Sequence, residues 1–269
     1  MPATLARTVE FHHRKLLRAP ALQFNQMVAI VEIPVERPTG FLDQLGTEIV
    51  DIYVGSSKHQ IRVHKALLAS KVPYFKAMFE GGFMEFEQNS CTLPEEDPII
   101  FGLFIEYLYG GGRLGPIDIE KSTTTNGPVV DRIKLYGYAE KICFVEMADY
   151  IMTNLVSTFH HYLRTPSKEG IRLAYSVTKP GSPIRKYMSQ SLWYIMKYVD
   201  ESSWSPDVVC EILRGVDDLL LDVVVAGRGR KSNNYFMGEK RNTDPRLYSK
   251  CEWHAHPRGA ACALQGEIL

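Results

Sequence analysis

Toward its C-terminal end the chain carries Cys251, His254 and His256 in the pattern Cys-x-x-His-x-His, and Cys262 stands six residues further on. Two thiolates and two imidazoles are the ligand set of a tetrahedral structural zinc. The spacing argues less well for it: one residue between the histidines is tighter than the usual three to five, and the sequence alone shows no groups that would hold the rings from behind. The alternative is an unstructured tail, and no other cofactor is expected. Catalytic patterns find less to hold. Gly55-Ser56-Ser57-Lys58-His59 approaches a nucleophile elbow but lacks the second glycine, and its place between two strand-like runs makes it a turn. Gly227-Arg228-Gly229-Arg230-Lys231 lacks the third glycine of a dinucleotide fingerprint and a preceding strand-helix unit. The expectation is that the protein is not an enzyme.

Composition narrows the partners. Across 269 residues, 31 Lys plus Arg meet 31 Asp plus Glu, so no net charge points to a polyanion or a lipid surface. Hydrophobic residues at 45% and charged ones at 23% are ordinary for a folded chain. The longest apolar runs fall far short of the roughly 20 residues that cross a bilayer, so no membrane is expected. Five scattered cysteines give no disulfide framework, which places the chain in a reducing compartment, cytoplasm or nucleus. From Arg228 onward eight Lys or Arg make the end basic, but they are dispersed, and nucleic acid is a weak expectation.

The positioning elements follow from period and punctuation. Val50, Ile52 and Val54 alternate on one strand, Ile61 and Val63 on its return, and Gly55 to Lys58 supply the reversal. Lys65 to Lys71 and Pro73 to Phe79 form two short helices, because proline starts a helix and breaks a longer one. Cys91 to Leu93 form a short strand. Asp97 then caps a helix that opens on Pro98 and stops at Gly110-Gly111-Gly112. After a polar loop from Arg113 to Pro128 comes a second helical pair, with Ala148, Ile151, Met152, Leu155 and Phe159 on one stripe. Residues 1–46 are read as an irregular extension in which Met27 to Val35 can form an edge strand.

In that order, six words from about Thr47 to Leu163 resemble a BTB (POZ) domain: Asp51 to Val54, Val63 to Ser70, Pro73 to Phe79, Leu93 to Asp97, Phe104 to Tyr109 and Leu135 to Lys141. Gly181-Ser182-Pro183-Ile184-Arg185-Lys186 resembles the region that follows the domain in fungal BTB proteins. The resemblance implies an α+β fold, a small sheet with flanking helical hairpins, followed by a C-terminal helical segment. The expected division is an extension at 1–46, the BTB/POZ domain at 47–165, a helical region at 166–227, BACK-like or a BTB extension, and a disordered basic tail at 228–269.

The resemblance also implies the function: non-catalytic protein-protein interaction, with self-association through the BTB domain. It implies a charged pair, Asp51 with Lys65, at a pocket near the dimer seam; the alternative is that the pair only orders strand against helix. His64 beside it, with no second metal-ligating residue at helical spacing, reads as a packed, hydrogen-bonded histidine and not a ligand. Phe83-Met84-Glu85 stands where cullin-binding BTB proteins carry a hydrophobic-x-acid word, which implies a ubiquitin-ligase adaptor. The alternative is that Phe83 or Phe86 folds back onto the core. A transcription-associated or nucleic-acid-binding scaffold using the basic tail is the competing reading.

Overall fold

The computed structural model describes residues 40–82, 84–119, 127–200, 202–229, 243–257, 259–262 and 264. The expected edge strand at Met27 to Val35 lies outside them. A short helix, α1 (Phe41–Leu45), precedes a hairpin of β1 (Ile49–Val54) and β2 (His59–His64). Val50, Ile52 and Val54 are fully buried, as their alternation requires, and Val50 faces Val63 across the antiparallel pair. Gly55 makes the turn at φ +74°, where a side chain would press on Pro98 at 3.2 Å. The hairpin leads into α2 (Lys65–Lys71), α3 (Pro73–Glu80) and α4 (Met84–Gln88). The strand β3 (Ser90–Leu93) then pairs parallel to β1, so the sheet runs β2-β1-β3.

Helix α5 (Pro98–Tyr109) starts as expected, with the Asp97 carboxylate accepting from Ile99 N at 2.9 Å. Its Phe101 and Phe104 join Phe75 and Tyr138 in an aromatic cluster beneath the sheet, with ring centroids 5.4–6.4 Å apart. Next come α6 (Pro128–Lys141) and α7 (Val145–His161), then α8 (Lys168–Val177), α9 (Pro183–Tyr198), α10 (Pro206–Gly215) and α11 (Leu219–Gly229). Small-residue contact sets the α6–α8 approach: a side chain on Gly137 would stand 2.6 Å from the Val177 carbonyl oxygen. The fold is thus the expected α+β arrangement with a helical C-terminal segment.

Two features go beyond the expected outline. First, α7 buries 12 of its 17 residues, Asp149, Thr153 and Asn154 among them, far more than one apolar stripe. Helix α6 covers one side, and part of the rest is covered by two 3₁₀ turns, Pro245–Leu247 and Lys250–Trp253. The segment read as a disordered tail is therefore packed over residues 243–257. Trp253 is completely buried, edge-on to Tyr187 and stacked on Tyr248, and burial of so large a side chain outweighs the entropy of ordering a short segment. Residues 230–242 of that tail lie outside the described set.

Second, the Gly181–Lys186 word has a structural task. Pro183 opens α9, and Arg185, 7% exposed, turns inward. Its guanidinium donates to the backbone carbonyls of Tyr175 and Thr178 at the end of α8, to Thr178 Oγ1, and to Asp218 at 3.4 Å ahead of α11. One cation therefore satisfies the open C-terminus of one helix and ties in the start of another. The neighbouring Lys186 points the other way, to Glu252 Oε1 at 2.6 Å and over the Trp253 ring.

Replacing Arg185 by Met strands those carbonyls. We predict a loss of about 3 kcal/mol in denaturant unfolding; a change under about 0.5 kcal/mol, the scale of a neutral surface substitution, would contradict this role.

Candidate functional site

The register of the hairpin decides where the charges at the start of the sheet go. Asp51 lies opposite Arg62. Its carboxylate accepts from Arg62 Nε at 3.0 Å and from Gln60 Nε2 at 2.9 Å. Lys65 Nζ sits 3.1 Å from Glu48 Oε2 and 3.2 Å from Asn89 Oδ1. The charged pair expected between Asp51 and Lys65 is thus replaced by two separate partnerships, because a cross-strand neighbour is nearer to a strand residue than the helix that follows. His64 is half-buried: its Nδ1 meets the Tyr109 hydroxyl at 2.6 Å, and its backbone N–H donates to the same oxygen at 3.1 Å. This tyrosine fixes the β2–α2 junction against α5, a role no sequence pattern announces.

The Glu95-Glu96-Asp97 cluster is also structural. Asp97 caps α5, Glu96 accepts from Lys141 Nζ at 2.6 Å, and Asp97 faces Lys134 at 3.5 Å. The Glu96 hydrogen bond, opposed by partial burial and aided by the nearby acids, holds Lys141 above its ordinary pKa. Cys91, a buried residue of β3, has a thiol that burial pushes up to about 12, so it is a core residue and not a nucleophile.

Of the hydrophobic-x-acid word, Phe83 lies outside the described residues. Gly82, at φ +75°, turns the chain out of α3, and α4 then begins at Met84, 70% exposed, with Glu85 half-buried.

In the segment after α11 the four Cys/His residues meet. One ligand atom each from Cys251, His254, His256 and Cys262 lies within 4.8 Å of all the others. His254 Nδ1 is 3.3 Å from His256 Nε2 and 3.4 Å from Cys262 Sγ. The groups behind the rings, invisible to sequence reading, come from α7. Thr153 Oγ1 meets His254 Nε2 at 2.8 Å, and the Asp149 carboxylate accepts the Ala255 backbone N–H at 2.5 Å. Burial foremost, then the neighbouring His256 and Lys250 charges, pushes His254 down to about 4, so its ring is neutral. Trp253, between the first two cluster residues, was the available signal that this stretch is buried.

With the sheet order and both sites in view, comparison with known proteins assigns one stretch of the chain. Residues 42–123 match the BTB/POZ domain family. The chain carries a BTB/POZ domain. Kelch-like protein 28 of Homo sapiens is 38% identical over 64 residues, 24% of this chain and 11% of that protein. Leucine-zipper-like transcriptional regulator 1 of Homo sapiens is 30% identical over 105 residues, 38% of this chain and 12% of that protein. TD and POZ domain-containing protein 2 of Mus musculus is 40% identical over 53 residues, 20% of this chain and 15% of that protein. The chain thus spans a small fraction of these relatives' lengths. The BTB/POZ domain is a protein-interaction fold, and these mammalian relatives give the fungal likeness of Gly181–Lys186 no support. Among the described residues, no helix is long and apolar enough to cross a membrane.

At the hairpin the Asp51–Arg62 pair stands in solvent while Tyr109 ties His64 to α5. Arg62 is 72% exposed, so Asp51→Asn is predicted to cost under about 1 kcal/mol in urea unfolding. Tyr109→Phe, which removes both His64 contacts, is predicted to cost about 1–2 kcal/mol. The reverse ranking would show that Asp51, and not Tyr109, holds this junction.

Proposed function

We propose that the protein is a non-catalytic docking module that binds other proteins, a second copy of itself among them, through its BTB/POZ domain, and serves as an adaptor for a cullin-type ubiquitin ligase. The observation that carries this reading is the match at residues 42–123 to a family of interaction domains, on a three-stranded sheet with helical hairpins.

Support for the cullin contact comes from the region of α4. The Phe83-Met84-Glu85 word follows the Gly81-Gly82 turn, and Met84 at the head of α4 faces solvent. An aromatic anchor beside an acid suits insertion into an apolar groove, where such anchors carry much of the binding energy. Support for self-association comes from α1: Leu45 pins this helix to the core while Phe41 and Leu42 stand exposed, Leu42 at 79%. Exposed apolar side chains on an anchored helix suit an interface.

The competing nucleic-acid scaffold gains little. Arg246 is bound to Asp244 at 2.7 Å, and Arg230, Lys231, Lys240, Arg241 and Arg258 lie outside the described residues. Cytoplasm or nucleus suits an adaptor of this kind.

The purified full chain is predicted to bind the N-terminal region of a cullin at micromolar concentration, and Phe83→Ala to weaken that binding about tenfold or more. No binding by the wild-type chain at that concentration would remove the adaptor role. Light scattering tests self-association separately: Leu42→Asp is predicted to shift the wild-type dimer to monomer, and a monomeric wild type at tens of micromolar, well above typical stable-dimer dissociation constants, would contradict it.

A further inference from the structure

We propose that Cys251, His254, His256 and Cys262 form a closed, four-coordinate structural zinc site that locks the C-terminal segment onto α7. Two of the ligand separations match the metal. Zn–N bonds of about 2.0–2.1 Å and Zn–S bonds of about 2.3 Å, at tetrahedral angles, put two ligating nitrogens about 3.3 Å apart and a nitrogen and sulfur about 3.6 Å apart. The observed separations are 3.3 Å for His254 Nδ1 to His256 Nε2 and 3.4 Å for His254 Nδ1 to Cys262 Sγ. All four donor atoms lie within 4.8 Å of one another.

The outer ring nitrogens are held as metal-binding histidines require. His256 Nδ1 stands 3.1 Å from the Pro257 carbonyl oxygen, which can only accept, so that nitrogen carries the hydrogen and Nε2 is left to face the centre. His254 has its outer Nε2 on Thr153 Oγ1 and its Nδ1 turned inward. The Asp149 contact to Ala255 N–H fixes the backbone between the two rings. The tight His-x-His spacing, an objection from sequence, is met by the two rings using different nitrogens, Nδ1 and Nε2.

Binding replaces two thiol protons by one Zn²⁺. Both protons go to solvent, and the site with two thiolates and two neutral imidazoles is uncharged, as its partly buried setting favours. With four protein ligands there is no open position for substrate, so the role is to hold residues 251–262 together and, through Thr153 and Asp149, against α7.

The test uses the full chain purified under reducing conditions. Elemental analysis should find about one zinc per chain, lost in Cys251→Ser and in His256→Ala but kept in the paired control Cys143→Ser with Cys210→Ser, whose thiols are exposed. Because a variant that fails to fold would also lose metal, the wild-type chain is stripped with a chelator and refilled with Co²⁺. The proposal expects tetrahedral cobalt absorption bands with a thiolate charge-transfer band. It also expects faster hydrogen exchange in residues 249–256 of the stripped protein, with α2 and α3 unchanged. Reduced wild-type protein without stoichiometric zinc, octahedral cobalt bands, or a Cys251–Cys262 disulfide in place of metal would each overturn the proposal.

Discussion

A helix that buries 12 of 17 residues cannot stand on the edge of a domain, and α7 imposes that constraint on everything around it. Its apolar stripe of Ala148, Ile151, Met152, Leu155 and Phe159 accounts for one side. Its polar residues Asp149, Thr153 and Asn154 are buried as well, and a buried carboxylate or hydroxyl needs a partner. Desolvation raises the Asp149 pKa, partly offset by the Ala255 N–H that it accepts, so the residue is tolerated only because the C-terminal segment returns to meet it. The same return brings Trp253 to Tyr187, and His254 to Thr153. One hydrophobic cluster accordingly runs from Leu45 beside the sheet to Trp253 near the end of the described chain.

That continuity bears on the docking proposed for α1 and α4. A BTB/POZ sheet with its helical hairpins presents short exposed helices, α1 and α4, whose positions are set by what lies beneath them: Leu45 under α1, and the Phe75, Phe101 and Phe104 cluster under α3 and β1. Rigid support lets a few exposed side chains serve as anchors without a large ordering cost on binding. The C-terminal half contributes stiffness: Arg185 closes the end of α8, and Lys186 reaches Glu252 beside Trp253.

Local chemistry made much of this legible in the sequence. Period-two alternation gave β1 and β2, proline at first-turn positions gave α3 and α5, and Asp97 gave its cap, because each signal acts over a few residues. The Cys/His set was legible as a ligand list, yet its convergence was not, since it depends on Thr153 and Asp149 about a hundred residues earlier. The Asp51–Lys65 pairing misled because register, a two-strand property, hands Asp51 to Arg62. The tail was misread from its charges: Arg246 is paired with Asp244, Glu252 takes Lys186 of α9, and a buried tryptophan adds packing that composition does not reveal.

The account rests on the C-terminal segment being part of the fold and not an appendage. Amide hydrogen exchange along α7 tests this most directly, comparing the full chain with one ending at residue 242. Removing Trp253 and its neighbours exposes a side of α7, and the account predicts that protection at Tyr150 to Thr158 falls about a hundredfold, the scale of losing one large buried side chain. Equal protection in the two proteins would contradict it.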